Sequence, residues 1–242
     1  GCDCPVCISN DPKDKRFRSA ALLEFGGKNV LIDVGPDIRS QALSIGLKQL
    51  DGVLFTHAHQ DHVGGIDDLR AFFIRRKEPL PVYLSYETLE DLKERFGYIF
   101  IPDRKALTLI PRLEVITFDA DCGTFEILGM KARYFTYSQV GMKVQGFRFG
   151  DLGYVSDIKE HPESLYTELN GVHNLVVSAL RFDENPIHFT VEEAIAFGRK
   201  VGAREVYLTH TAHELGYAET EAKLPENVHM AYDGLTLEFS DE

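Results

Sequence analysis

The chain has 242 residues, of which 44% are hydrophobic and 26% are charged, as expected for a globular protein with a sizeable core. The formal net charge is −12, with no long run of lysine or arginine, which argues against a protein held on nucleic acid by broad neutralisation of phosphates. No stretch approaches the roughly 18 consecutive apolar residues of a membrane helix, so we expect no membrane partner.

Three of the four cysteines lie within the first seven residues. An oxidising compartment favours cysteines spread along the chain as a pairing framework, so this clustering is more typical of metal binding in a reducing compartment. We therefore expect a cytoplasmic protein. We see no signal peptide, but the sequence begins close to a cysteine motif, and we expect that an upstream first strand is missing from it.

Short apolar runs that end in polar residues predict strands along the whole chain. Apolar residues at helical spacing predict two helices in the first half, and a proline-bounded aromatic segment at 97–111 is either a loop over a site or a packed surface connection. The predicted strands are 28–33, 51–56, 113–118, 125–128, 130–135, 147–149, 152–156, 175–180 and 205–209, and the two helices are 66–76 and 86–96.

A further helix is predicted in the second half. The sequence Thr190-Val-Glu-Glu193 has the form of a capping box, and the helix it opens should run to about Val201, with Gly202 as its stop. Strands and helices alternate in two similar halves. We therefore expect an α/β protein with two sheets covered by helices, folded as one domain over residues 1–242.

The strongest chemical pattern is Thr56-His57-Ala58-His59-Gln60-Asp61-His62, which places three imidazoles and a carboxylate within six residues after a predicted strand. Imidazole and carboxylate suit Zn, Mn or Fe. On a tight loop, His57 and His59 can face one ion while Asp61 and His62 face another. The two glycines that follow let the backbone turn without crowding the ions.

The pattern His-x-His-x-Asp-His resembles the motif of hydrolases with the metallo-β-lactamase fold, and other positions fit in chain order. The resemblance implies a four-layer αββα sandwich with two divalent catalytic metals, zinc or manganese, at one edge between the sheets. It implies that Asp33 orients metal ligands, that Asp157 bridges both metals and that His210 is the final histidine ligand. The implied metal ligands are His57, His59, Asp61, His62, Asp157 and His210.

A second motif narrows the resemblance. Cys2-x-Cys4-x-x-Cys7 supplies three thiolates, and His213 is available as the fourth donor of a closed tetrahedral zinc site. This arrangement is similar to that of the phosphoribosyl cyclic phosphodiesterases of the carbon–phosphorus lyase pathway. A Cys3His site has no open coordination position, so the zinc that the resemblance implies here is structural.

The resemblance also implies catalytic residues. It places His188 against the substrate phosphate, as the general acid that protonates the leaving oxygen. It also implies that Asp61 is a catalytic residue. One position departs from the family: a metal-binding histidine is absent from the stretch Phe135-Thr-Tyr-Ser-Gln139. Tyr137 is the best-aligned occupant and an uncertain ligand, with Gln139 second. A phenolate ligand requires the tyrosine pKa, about 10 in solution, to fall.

The activity implied is metal-dependent hydrolysis of a small cyclic or nucleotide phosphodiester by metal-activated water. Two alternatives stay open. One is an endoribonuclease of the tRNA 3′-end-processing type, although the 19 residues between Tyr137 and Asp157 leave no room for a protruding RNA-binding arm. The other is a non-catalytic metal- or nucleotide-binding protein with a degenerate site. We expect no extended nucleic-acid partner, and relatives make a homodimer possible.

Overall fold

The computed structural model describes residues 2–76, 78–100 and 110–240. The chain divides into two compact units. We call Arg18–Ala120 the N-terminal unit, and Gly1–Phe17 with Asp121–Glu242 the C-terminal unit. Residues 101–109 of the segment predicted as a site-covering loop or a surface connection lie outside the described residues. Among the helices described, none has the length and apolar character needed to cross a membrane.

The N-terminal unit has a five-stranded sheet in the order β1-β2-β3-β4-β5, in which β1 is antiparallel to β2 and the other neighbours are parallel. Both β3 and β4 consist entirely of buried residues, as expected of parallel strands covered on both faces. The strands are Ala21–Phe25 (β1), Lys28–Ile32 (β2), Gly52–Leu54 (β3), Leu80–Ser85 (β4) and Leu113–Phe118 (β5). The helices are Ile38–Ser44 (α1), Gln60–Val63 (α2), Arg70–Arg76 (α3), Tyr86–Arg95 (α4) and Gly97–Phe100 (α5), with a 3-10 turn at Ile66–Leu69 before α3.

The C-terminal unit has a seven-stranded sheet in the order β12-β11-β10-β9-β8-β7-β6. The pairs from β9 to β12 are parallel, and those from β6 to β9 are antiparallel. Its strands are Cys122–Ile127 (β6), Met130–Gln139 (β7), Met142–Phe149 (β8), Leu152–Val155 (β9), Asn174–Ser178 (β10), Glu205–Thr209 (β11) and Val228–Met230 (β12). Its helices are Ser164–Glu168 (α6), Val191–Val201 (α7) and Tyr217–Glu221 (α8), with a 3-10 turn at Pro12–Asp14.

The predicted capping box at the start of α7 is confirmed. The Thr190 hydroxyl accepts a hydrogen bond from the Glu193 N–H at 3.1 Å, and the Thr190 N–H donates to the Glu193 carboxylate at 2.7 Å. Gly202 ends the helix with a φ of 78°, a left-handed conformation that glycine adopts without strain. Two apolar positions of this helix, Ala194 and Phe197, belong to the buried cluster of the C-terminal unit.

Other predicted boundaries need correction. The strand predicted at 130–135 continues to Gln139, so the side chain at its end is not the one that the prediction implied. The strand predicted at 147–149 begins at Met142, and the two strands form one long hairpin. The helix predicted at 66–76 is a 3-10 turn followed by α3. Five elements of the N-terminal unit were not predicted, namely β1, α1, α2, β4 and α5, and α5 lies in the segment predicted as a loop or a surface connection.

Candidate metal-binding clusters and catalytic residues

Backbone hydrogen bonds join the histidine-rich loop of the N-terminal unit, residues 57–62, and the glycines after it to the segment that follows β2. Val34 donates to the His62 carbonyl at 2.7 Å, and Gly65 donates to the Val34 carbonyl at 2.9 Å. A Cβ on Gly35 would lie 2.2 Å from the Asp61 carbonyl oxygen, and one on Gly65 would lie 2.2 Å from the Gly35 carbonyl oxygen. Both glycines are therefore required by the close approach of the two backbones, which fixes the loop.

The loop gathers three imidazoles and a carboxylate. The ring centroid of His57 lies 4.7 Å from that of His59 and 4.3 Å from that of His62. The Asp61 carboxylate lies 3.7 Å from Nε2 of His62. His57 and His62 are buried, whereas His59 is exposed. Buried imidazoles next to a carboxylate make a donor set that suits a divalent metal.

Asp33 orients two of these imidazoles, His62 directly and His57 through the hydroxyl of Thr56. Its carboxylate accepts from His62 Nδ1 at 2.7 Å, from the Thr56 hydroxyl at 2.8 Å and from the Thr56 N–H at 2.8 Å. Since that hydroxyl gives its one proton to Asp33, it accepts from His57 Nδ1, which lies 2.8 Å away. Both rings thus carry their protons on Nδ1 and their lone pairs on Nε2, the form in which imidazole binds a metal.

The C-terminal unit contains a second cluster, in which Asp157, His188 and His210 each offer a ligand atom within 4.8 Å of the others. Asp157 is buried, and its Oδ1 lies 3.3 Å from His210 Nε2. Its Oδ2 lies 4.0 Å from His188 Nδ1, and the two imidazoles stack with centroids 4.9 Å apart. The cluster also has the composition of a metal site, and it brings together three residues predicted from the sequence.

Backbone strain marks the same residues. Asp33, Asp157 and His210 have φ values of 65°, 54° and 54° and are three of the five non-glycine residues with positive φ in the described part of the chain. Such a conformation costs on the order of 1 kcal/mol and persists where the surroundings impose it. Each of the three follows a strand end directly or by two residues, as do catalytic groups in α/β folds.

The absent family histidine has a clearer structural counterpart than the sequence suggested. The Tyr137 hydroxyl donates a hydrogen bond to the Ser156 carbonyl, an arrangement that uses the phenolic proton. Gln139 lies two residues further on, and its amide nitrogen is 3.0 Å from His188 Nδ1 and 3.4 Å from Asp157 Oδ2. Gln139 therefore contacts two members of the cluster of Asp157, His188 and His210 directly.

Asn185 positions His188 and was not predicted. Its buried side-chain oxygen accepts from the N–H groups of Ile187, at 2.8 Å, and His188, at 2.9 Å. This turn fixes the backbone that carries the imidazole. The dipeptide Asn185-Pro186 is a common turn signal, so the sequence did contain a hint of this role.

The cysteine motif forms a four-donor cluster with His213 within the C-terminal unit. The ligand atoms of Cys2, Cys4, Cys7 and His213 all lie within 4.8 Å of one another. His213 Nδ1 lies 3.3 Å from the Cys4 sulfur and 3.8 Å from the Cys2 sulfur. A tetrahedral zinc with bonds of about 2.0–2.3 Å sets its ligand atoms roughly 3.5–3.8 Å apart, so these residues fit zinc.

The thiols of this cluster differ in acidity. A hydrogen bond with His213, together with one from the Cys7 N–H, lowers the pKa of Cys4 to about 6. The hydrogen bond between the Cys7 thiol and the Cys4 sulfur is the largest cause that raises the pKa of Cys7 to about 11, and the charge on Cys4 adds to it. The pKa of His213 is raised by its contact with Cys4 and by the charge of Glu214. One thiolate is therefore ready to bind a cation, which would then favour ionisation of the others.

The residues that follow the cysteine motif hold the segment that carries His210 and His213. The Arg16 guanidinium donates to the Thr211 hydroxyl and to the Leu215 carbonyl. Asp14 accepts from the Tyr217 N–H at 2.8 Å and lies 3.4 Å from Arg16. The N-terminal segment thus fixes the backbone on both sides of the Cys3His cluster.

Comparison with known proteins adds the family context. The model of the β-lactamase superfamily domain matches residues 28–211. A diphosphatase of the PhnP family, known from its crystal structure, is 35% identical, with a TM-score of 0.90, and the match covers 99% of this chain and 90% of that one.

Two curated relatives are longer than the region matched. An octanoyltransferase of Porphyromonas gingivalis is 34% identical over 97% of this chain, and a ribonuclease Z of Bradyrhizobium diazoefficiens is 45% identical over 24% of it. The match spans 47% of the octanoyltransferase and 20% of the ribonuclease. Because less than half of each relative is matched, the likeness does not carry either whole activity to this chain.

Proposed function

Because the chain belongs to the PhnP family of the β-lactamase superfamily, and is therefore a metal-dependent hydrolase of the metallo-β-lactamase fold, we propose that it cleaves small phosphodiesters. The membership confirms the family resemblance, the α/β fold class and the hydrolase assignment made from the sequence. The observation that carries the proposal is the Asp33–Thr56 network, which prepares the lone pairs of His57 and His62 for a metal.

Two ligand sets serve the catalytic metals in this proposal. One is the histidine-rich loop of the N-terminal unit. The other is taken from the cluster of Asp157, His188 and His210 in the C-terminal unit. The assigned ligands are His57, His59, Asp61, His62, Asp157 and His210. Zinc and manganese both suit such a mixture of imidazole and carboxylate, and we assign two ions. When bound, they supply Lewis acidity and lower the pKa of water.

The chain's own residues complete the reaction. The attacking hydroxide would form when water loses a proton to solvent, and its bond to phosphorus would form as the bond from phosphorus to the leaving oxygen breaks. His188 gives its proton to that leaving oxygen, in the role of general acid. Gln139, 3.0 Å from His188 Nδ1, and Asn185, which holds the His188 backbone, keep the ring in place.

The Cys3His cluster serves structure in this proposal. Its four donors fill a tetrahedral coordination sphere, so a zinc held by Cys2, Cys4, Cys7 and His213 has no position for substrate. Its role is to hold the N-terminal segment against the segment that follows β11. One zinc per chain is expected here, besides the catalytic ions.

Turn lengths support a small substrate over RNA. Strands β7 and β8 are joined by two residues, Val140 and Gly141, because Gln139 pairs with Met142. Strands β8 and β9 are joined as tightly, because Phe149 pairs with Leu152. The stretch from Tyr137 to Asp157 therefore carries no inserted arm for RNA. The local likeness to ribonuclease Z keeps an endoribonuclease as the second candidate.

Metal analysis of the purified protein, paired with hydrolysis of bis(p-nitrophenyl) phosphate, tests the proposal. We expect three ions per chain and turnover that chelation abolishes. The variants His57→Ala and Asp157→Ala should each lose catalytic metal and turnover but keep the structural zinc. A matched control is His173→Ala, an exposed histidine paired with Asp151 at 3.1 Å, which should change neither. One zinc per chain without turnover would instead support the non-catalytic alternative.

A further inference from the structure

The turn between β7 and β8 contains a residue that does not suit its conformation. Val140 and Gly141 have φ values of 49° and 79°, as in the type I′ turns that join two-residue hairpins. Asparagine, aspartate and glycine are favoured at the first position of such turns. Valine is disfavoured, because its branched Cβ crowds the backbone when φ is positive. The conformational preference of the turn therefore does not explain why a valine occupies position 140.

Packing does not explain Val140 either. Its side chain is 61% exposed, so burial of apolar surface offsets little of the strain. The neighbouring hairpin offers a comparison, since Leu128 and Gly129 join β6 to β7 with φ values of 53° and 93°. Leu128, however, is unbranched at Cβ and partly buried. A strained, exposed apolar residue is most simply explained by contact with a ligand.

A second exposed apolar residue precedes His188 in the chain. Ile187 is 43% exposed and directly precedes His188. The two chain segments meet where Gln139, adjacent to Val140, contacts His188 at 3.0 Å. The turn held by Asn185 fixes Ile187, because the Ile187 N–H donates to the Asn185 oxygen at 2.8 Å. Val140 and Ile187 are thus the chain neighbours of the two residues in contact, one on each chain segment.

We propose that Val140 and Ile187 form an apolar rim that binds the leaving group of the substrate, and that this group is apolar and preferably aromatic. The inference rests on the proposed function, since the rim adjoins His188, which protonates the leaving oxygen in that mechanism. A flat hydrocarbon group covering both side chains would remove apolar surface from water. Because the rim is built on a two-residue turn and a hydrogen-bonded loop, little ordering is needed on binding.

Two substrates that differ only in the size of the leaving group test the rim: methyl phenyl phosphate and methyl 2-naphthyl phosphate. Their leaving phenols have similar acidity, so a rate difference reports binding. We expect wild-type kcat/KM to favour the naphthyl ester roughly five- to tenfold. Val140→Asn and Ile187→Asn should each reduce that ratio at least threefold, because the larger naphthyl group loses more contact with the rim than the phenyl group does. An unchanged ratio in both variants overturns the rim.

The control substitution is Leu128→Asn, which places asparagine at the same position of another two-residue turn, at the opposite end of β7 from Gln139. It should leave the naphthyl-to-phenyl ratio unchanged. Thermal unfolding supplies a second readout, because asparagine suits a type I′ turn better than valine. Val140→Asn should therefore raise Tm while lowering the ratio, a combination that a purely structural role of Val140 does not produce.

A binding measurement separates failure of the rim from failure of the proposed function. If wild type hydrolyses neither ester, the proposed function is overturned. Calorimetric titration of the metal-loaded protein with phenyl phosphate and 2-naphthyl phosphate still tests the rim. Tighter binding of the naphthyl compound that is lost in Val140→Asn and Ile187→Asn supports it, and equal affinities contradict it.

Discussion

The Nδ1 atom of His62 lies 2.7 Å from Oδ2 of Asp33, and both side chains are buried. The same carboxylate reaches His57 through the Thr56 hydroxyl. One buried aspartate thereby sets the tautomer and the orientation of two assigned metal ligands. A hydrogen bond to a carboxylate also makes an imidazole more basic at its other nitrogen, which strengthens its bond to a metal.

Replacing this carboxylate should weaken metal binding without removing a ligand. We expect Asp33→Asn to lower the affinity for catalytic metal about 10- to 100-fold, the usual effect of losing such a partner. Thr56→Val should have a smaller effect in the same direction, since it disturbs His57 alone. Metal affinity is measured by competition with a chromogenic chelator.

Asp51→Asn is the control for general damage to the N-terminal unit. Asp51 is also buried and accepts from the Asn29 N–H at 3.0 Å, but it precedes β3, whereas the histidine loop follows that strand. This variant should lower Tm and keep metal affinity. A loss of affinity as large as that of Asp33→Asn would mean that destabilisation of the unit, and not the network, accounts for both results.

The histidine-rich loop could be identified from the sequence, because His57, His59, Asp61 and His62 lie within six residues of one another. The family resemblance also pointed to Asp157 and His210, and the structure groups these two residues with His188. The choice between Tyr137 and Gln139 depended on the length of the strand that carries them, which the sequence did not show. Strand β7 continues four residues past the predicted end at Phe135, so the residue that contacts His188 and Asp157 is Gln139.

Backbone conformation was beyond the reach of sequence patterns. Aspartate and histidine adopt positive φ more readily than most residues, but the sequence does not show that Asp33, Asp157 and His210 are the ones that do so. The missed strand β4 begins Leu80-Pro81, and its six residues are all buried, so it lacks the polar–apolar alternation of a half-exposed strand.

Histidine substitutions at Gln139 and Tyr137 test which of the two residues stands at the position of the family's metal-binding histidine. Gln139→His introduces an imidazole beside Asp157, so we expect higher occupancy by catalytic metal or faster turnover. Tyr137→His should produce neither, since that side chain is engaged with the Ser156 carbonyl, and it should lower stability. Tyr137→Phe is the control and should cost about 1 kcal/mol of stability with unchanged metal content. A gain from Tyr137→His alone would reverse the assignment.

Arg16 should affect activity through the segment after β11. Arg16→Ala removes the donors to Thr211 and Leu215, so residues 211–215 should exchange amide hydrogens faster. Because His210 adjoins this segment in a strained conformation, we expect kcat to fall about tenfold with the zinc retained. Lys13→Met is the control from the same segment, since Lys13 contacts the Tyr217 and Tyr232 rings. Unchanged exchange and unchanged kcat would remove Arg16 from a positioning role.

The edge of the C-terminal sheet should show pH-dependent stability. Burial opposes the charged form of His229, but hydrogen bonds to Glu221, at 3.0 Å, and Glu205, at 3.1 Å, favour it more, so the pKa of His229 is raised. A raised pKa in the folded state stabilises the fold below the unfolded value of about 6.5, and this stabilisation is lost as pH rises through the folded value. Wild type should therefore have a higher Tm than His229→Gln at acidic pH, and this difference should shrink above neutrality. We expect the difference to stay below about 3 °C, because His229 and its two glutamate partners are partly exposed. A difference that grows with pH contradicts the assignment.

His188 lies where a general acid or a metal ligand is chemically possible, since it groups with Asp157 and His210. A general acid matters most when the leaving alcohol is weakly acidic, because such a group needs a proton to depart. His188→Ala should therefore reduce hydrolysis of dialkyl phosphodiesters about 100-fold or more and that of bis(p-nitrophenyl) phosphate far less, with metal content unchanged. A metal ligand has a different signature, because its loss lowers metal content and slows both substrates alike. The ratio of the two rates, read beside the metal analysis, therefore decides which role His188 has.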